Sequence, residues 1–261
     1  VIRAGRALAV EFLGLPGVGK SAVSRRTAEC LSQRGFVVRE RVDVLSDRSA
    51  LAPRLRGYLG KSLLIAREVL AHPRQSWRAI RAIGATAQPS ARVLLMVVAN
   101  WLMQCSLLRT CRGAPAVHLL EEGIFQGLWT IGLEARPGTV RAIGGAFADA
   151  LSMPDVVVVV EADLEAVVNR LQQRNGRESR ADRWSRDDGR AFAHASSLML
   201  EVLDVLETVD ESRKRSRVIR VANRSVADTD VAARQLALRI EQLCGSELPP
   251  AQQPAGARTT A

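Results

Sequence analysis

The stretch Ala7-Leu8-Ala9-Val10-Glu11-Phe12-Leu13 runs directly into Gly14-Leu15-Pro16-Gly17-Val18-Gly19-Lys20-Ser21. The second segment fits the pattern GxxxxGK[ST], and its surroundings suit that pattern: an apolar strand precedes it and a helical stretch, Ser21–Gln33, follows. The spacing has a physical reason. Glycines let the backbone curl so that successive N–H groups converge on one phosphate. The following helix turns its positive N-terminus toward the same anion. Lys20 is placed to reach the β- and γ-phosphates, and the Ser21 hydroxyl to ligate Mg²⁺. Gly14, Pro16, Gly17, Val18, Gly19, Lys20, Ser21 and Ala22 are thus the expected nucleotide-contacting residues.

Four more short apolar runs follow: Phe36–Val42, Ala116–Leu120, Asp155–Val160 and Arg217–Val221. Val156–Val160 is an unbroken run of valines, too β-branched for a comfortable helix and too uniformly apolar for a half-exposed strand. Helical patterns separate the runs. The expectation is an α/β protein of the P-loop NTPase fold, a five-stranded parallel sheet flanked by helices. A helical insertion at about 50–112, punctuated by Pro53, Pro73 and Pro89, separates the second and third strands. Ser225 with Asp228 forms a capping box before Val226–Leu243, and Ser185 with Asp188 another before a helix reaching about Glu207. Asp163 is placed to cap Leu164–Gln173. Residues 1–244 are expected to form one domain, and the polar, Pro-rich residues 245–261 a disordered tail.

Composition narrows the partners. The formal net charge is +10, but Lys20, Lys61 and Lys214 are the only lysines, and arginines are spread along the whole 261-residue chain. No aromatic residues interleave with them as on a base-stacking platform, so no nucleic-acid partner is expected. Cys30, Cys105, Cys111 and Cys244 form no CxxC pair, and His72, His118 and His194 are isolated. A reducing, cytoplasmic setting fits, with no zinc site or disulfide framework. No signal peptide is read at the start. The longest apolar run, Val93–Leu108, contains Asn100 and Gln104 and falls short of the ~20 residues a membrane span needs. It reads as a buried helix.

Two features bear on the class of P-loop protein. No NKxD-type base-reading motif and no DxxG occur, which argues against a switch GTPase; the third strand ends instead in Glu121-Glu122-Gly123. A carboxylate there lies beside the phosphate loop, where it can hold Mg²⁺ through water or take a proton from an attacking hydroxyl. Adjacent residues on an extended chain point to opposite sides, and Glu121 is the one expected to face inward. After the fourth strand come Arg170, Arg174, Arg177, Arg180 and Arg183. The last three accompany the polar segment Asn175–Asp182, which reads as a closing lid at about 174–184, able to neutralise a transferring phosphoryl group.

With these motifs the chain resembles the nucleotide-kinase group of P-loop kinases, most of all the thymidylate kinase and deoxynucleoside kinase families. The resemblance lies in the phosphate loop, in Phe36–Glu40 as a second strand ending in Arg-Glu, and in Leu94–Gln104 as the helix bordering the acceptor. It continues through Ala116–Gly127, Pro154–Arg174 and Val218–Asn223. It implies transfer of the ATP γ-phosphate, with Mg²⁺, to a nucleoside- or nucleotide-like acceptor, with GTP as the alternative donor. It implies Arg174, Arg177 and Arg180 in the lid and Asn223 near the adenine, and it is compatible with a homodimer. The chain departs from the families where their Asp-Arg-Tyr would fall: here stands Glu121-Glu122-Gly123, and Asn100-Trp101 replaces a further Asp-Arg pair. Those changes favour a neutral hydroxyl acceptor such as a nucleoside, sugar or other alcohol, with Arg39 left to hold an anionic substituent. The expected function is a small-molecule kinase with Lys20, Glu121 and Glu122 in catalytic roles and Ser21 and Glu121 on the metal. The rival is a regulatory ATPase or GTPase without a small acceptor.

Overall fold

The computed structural model of the chain describes residues 7–40, 53–148, 153–173, 190–213 and 217–245. In chain order the elements are β1 (Leu8–Leu13), α1 (Lys20–Gln33), β2 (Val38–Glu40), α2 (Pro53–Ala71), α3 (Pro73–Gly84), α4 (Ala91–Arg112) and β3 (Val117–Leu120). They continue with α5 (Ile124–Gly132), α6 (Thr139–Ala148), β4 (Val156–Glu161), α7 (Leu164–Gln173), α8 (Arg190–Arg213), β5 (Arg217–Ala222) and α9 (Val226–Gly245).

The five strands form one sheet in the order β2-β3-β1-β4-β5, and every pairing is parallel. This is the P-loop NTPase fold, with the phosphate-loop strand at the centre. The valine run explains β4: all five valines are buried because helices cover both faces of the strand. Val156, Val158 and Val160 face α1, α7 and α9; Val157 and Val159 face α4, α5, α6 and α8. β1 divides the same way, with Val10 and Phe12 on the first side and Ala9 and Leu13 on the second. Asp155 sets the register of the central pair: its Oδ2 accepts from the Ala9 amide at 2.8 Å, and its own amide donates to the Ala9 carbonyl at 2.9 Å.

The insertion after β2 is three helices. Pro73 stands at the start of α3, where its missing N–H costs nothing. Glu68 of α2 is 3% exposed and meets Arg109 of α4 at 3.2 Å, so a buried charge is paired where the two helices pack. The apolar run Val93–Leu108 lies within α4, which Ser90 caps by accepting from the Val93 amide at 3.2 Å. At 22 residues α4 is long and apolar enough to cross a membrane, the one such helix among the described residues, and half of its apolar window is buried inside the protein. Every residue from Trp101 to Leu108 is buried, as in a helix enclosed by a core.

The capping box at α9 is formed: the Asp228 amide donates to Ser225 Oγ at 3.1 Å and the Ser225 amide to Asp228 Oδ2 at 3.0 Å. Asp163 ahead of α7 pairs with Arg224 at 3.4 Å. Ser185 and Asp188, like residues 246–261, lie outside the described residues.

Candidate active site

The phosphate loop leaves β1 at the carboxyl edge of the sheet and ends where α1 begins at Lys20. Gly17 and Gly19 take φ of 89° and 93°, left-handed conformations that favour glycine. The Lys20 ammonium folds back over the loop, donating to the carbonyls of Gly14 at 2.6 Å and Leu15 at 3.1 Å.

A second layer braces the loop from behind. Asn223, at the end of β5, is 1% exposed; its Nδ2 donates to the Val18 carbonyl at 2.7 Å, and its Oδ1 accepts from Thr229 Oγ1 at 2.6 Å. Arg170 of α7 donates to the same Val18 carbonyl at 3.1 Å and to the carbonyls of Asn223 and Arg224 at 3.0 and 3.1 Å. A Cβ on Gly19 would stand 2.2 Å from Asn223 Nδ2, so the loop and its brace are fitted without room for a side chain. The Arg170 guanidinium is therefore committed to backbone carbonyls behind the phosphate loop, and so is the Asn223 amide. Sequence spacing alone grouped Arg170 with the lid arginines.

The third strand supplies the facing wall. Glu121 follows β3, is partly buried, and its Oε2 accepts from Ser21 Oγ at 2.5 Å. Two residues 100 positions apart are thus brought onto one point beside the phosphate loop. Glu122 is exposed. A hydroxyl and a carboxylate in this juxtaposition fit the protein side of a Mg²⁺ site whose remaining ligands are water and phosphate oxygens. Among the described residues no cluster of three or more His, Cys, Asp or Glu could hold a metal ion without such help.

Behind Glu121 lies a carboxylate that sequence reading passed over. Glu11, in the middle of β1, is 1% exposed. Its Oε1 accepts from the Gln126 amide at 2.9 Å, while its Oε2 has no hydrogen-bond partner among the described residues. Burial pushes the carboxyl up to about 7, against the pull of the Gln126, Phe125 and Ile124 amides at the N-terminus of α5. The available signal was a lone acid inside an otherwise apolar strand. Cys105 and Cys111 are buried as well: burial raises their thiols to about 12 and about 11, so both remain neutral. All four cysteines are free thiols.

On the side of the insertion, Gln104 of α4 is 1% exposed, and neither atom of its amide has a partner among the described residues. Trp101 packs along Gly127 of α5. Asn100 is partly exposed one turn earlier on the helix, and Arg39 is exposed on β2, paired in register with His118. Burial lowers the His118 imidazole below its ordinary value. Arg174, Arg177, Arg180 and Arg183, with Asn175–Asp182, lie outside the described residues.

No protein-family model matches the chain, and no curated protein matches it. Among solved structures it is similar to thymidylate kinase from Ehrlichia chaffeensis, at 11% sequence identity and a TM-score of 0.44, over 91% of this chain and 100% of that one. The fold assignment rests on the strand order and the phosphate loop.

Proposed function

We propose that the protein is an ATP- and Mg²⁺-dependent phosphotransferase acting on a small hydroxyl acceptor, nucleoside- or nucleotide-like or another alcohol. The observation that carries this reading is the contact of Ser21 Oγ with Glu121, which joins the metal-ligating hydroxyl of the phosphate loop to the carboxylate at the neighbouring strand end. In the proposed mechanism the phosphate-loop amides hold the β-phosphate, and Lys20 exchanges its loop carbonyls for phosphate oxygens. Ser21 and Glu121 would hold Mg²⁺ on the protein side, and the ion would supply neutralising charge to the phosphates. The acceptor hydroxyl gives its proton to a carboxylate of this strand end, Glu121 or Glu122. Its oxygen bonds to the γ-phosphorus as the bond to the β–γ bridging oxygen breaks, and ADP leaves. Arg174, Arg177 and Arg180 are proposed to close over the transferring group and exclude water.

The acceptor is proposed to lie between the end of β3 and α4, around Asn100 and Gln104. Supporting this, Gln104 offers a buried donor and a buried acceptor on one amide, and a buried amide left unsatisfied is costly unless a ligand completes it. The test is incubation with labelled ATP and a panel of nucleosides, nucleotides and sugars. Label on one class of acceptor is the expected result. ATP hydrolysis that no added small molecule alters would instead identify a regulatory ATPase.

A further inference from the structure

Glu11 stands three residues before Gly14 on the strand that carries the phosphate loop, yet its side chain belongs to the opposite wall of the site. Its carboxylate sits at the N-terminus of α5, on the amide of Gln126. It also packs directly against Gly123: a Cβ there would lie 2.4 Å from both the carboxylate carbon and Oε2 of Glu11. Gly123 is the last residue of the loop that begins with Glu121, and it adopts φ −135° and ψ −152°, an extended conformation open to any residue. The glycine is therefore required by the Glu11 carboxylate pressed against it, and not by its own backbone angles.

This arrangement has a functional reading. A buried carboxylate with one oxygen unpartnered among the described residues is a costly way to fill a core position that a leucine would fill at lower free energy. What the carboxylate does that an apolar side chain cannot is hold the first amides of α5, and with them the turn out of β3. We propose that Glu11 is the positioning residue for Glu121: seated on α5 and packed on Gly123, it fixes the Glu121–Gly123 turn relative to β1, so that Glu121 meets Ser21. One strand thereby sets both halves of the metal pair, Ser21 through the main chain of the phosphate loop and Glu121 through the Glu11 side chain. The inference rests on the reading of Glu121 as the metal-side carboxylate.

The test measures ATP affinity by calorimetry with and without MgCl₂, alongside turnover, for the wild type, Glu11→Gln and Glu11→Asp. ATP affinity without Mg²⁺ should be the same in all three, because the phosphate loop is intact. In Glu11→Gln the gain in affinity that Mg²⁺ confers, and kcat, should each fall about tenfold or more, the usual scale for a group that orients a metal-side residue. Glu11→Asp, which restores the charge, should recover part of both. Should Glu11→Gln not fold, Gly123→Ala asks the same question from the other side of the contact and should show the same loss of the Mg²⁺-dependent gain. A Mg²⁺-dependent gain equal to wild type in Glu11→Gln, or in Gly123→Ala where that variant stands in for it, overturns the inference. If the wild type binds ATP and Mg²⁺ but phosphorylates no acceptor, the phosphotransferase reading fails while the Mg²⁺ comparison still decides the role of Glu11.

Discussion

Glu121 and Glu122 are neighbours in the chain with unlike surroundings, one on Ser21 and one exposed. Glu121→Gln keeps the shape and removes the charge. It is expected to lower turnover by roughly 10²-fold or more and to weaken the Mg²⁺-dependent gain in ATP affinity, with little change in the affinity for ATP without Mg²⁺, and Glu122→Gln to cost much less, as read by steady-state phosphoryl transfer with calorimetric ATP binding. The reverse order of severity would assign the catalytic role to Glu122. Glu11 supplies a different observable. Its folded carboxyl lies at about 7, above the 4.5 of a free side chain, so between those values the native state keeps a proton that the unfolded state has lost. Its contribution to stability is thus fully present below pH 4.5, falls as pH rises toward 7, and is level above that. Glu11→Gln escapes that loss. The stability of the variant relative to wild type should rise by on the order of 3 kcal/mol between about pH 4.5 and about pH 8, measured by urea unfolding. A difference that does not change with pH would mean that Glu11 titrates like an exposed acid.

At the scale of elements, the junction of β5 with α9 does two jobs. The Ser225–Asp228 box starts the helix, and the turn it caps presents Asn223 to the phosphate loop, with Thr229 one turn into the helix holding the Asn223 side chain. Ser225→Ala removes an acceptor for the Asp228 amide and should cost about 1 kcal/mol in chemical denaturation. Nucleotide affinity should follow only as far as the brace on Val18 loosens. A stability identical to wild type would mean that water replaces the cap without loss. α1 and α9 pack beside each other and are joined by Arg26–Asp230 at 2.6 Å and Arg34–Glu241 at 2.8 Å. These pairs are partly exposed and add little beside the apolar seam of Leu31, Ala233, Leu236 and Ile240.

Over the whole molecule, the proposed nucleotide binding would be linked to folding, because β1, β4, β5 and α7 hold the phosphate loop. ATP with Mg²⁺ at about a hundred times its Kd should stabilise the protein by about 2.7 kcal/mol. For a domain of this size that is a rise in Tm of about 5–10 °C. Lys20→Ala should unfold near the wild-type Tm without ligand, since the Lys20 side chain is partly exposed and its ammonium rests on carbonyls of the phosphate loop. The same variant should lose most of the ATP-dependent rise. Thermal melts of both proteins with and without ATP and MgCl₂ read this directly; an equal rise in both would remove Lys20 from the phosphate site.

The amino-acid sequence by itself determined the sheet, the phosphate loop and the start of α9, because each depends on residues close together in the chain. Five consecutive valines mark a strand that must be covered on both faces, and both faces are covered. GxxxxGKS curls through its own glycines, and Ser225 finds its partner three residues away. The carboxyl end of the third strand was legible as a strand end for the same reason, since it follows directly from a buried run. What only the tertiary structure decided is which distant groups meet. Arg170 shares a regular spacing with the lid arginines, but the crossing of α7 over the phosphate loop spends its guanidinium on three backbone carbonyls. Asn223, read as a neighbour of the nucleotide, braces Val18 because the end of β5 closes against the loop. Glu11 is an acid in an apolar strand, and its local sequence marks it only as an anomaly. Its contact depends on α5 arriving over the sheet with the Gln126 amide on its carboxylate, across 115 residues, which no local pattern encodes.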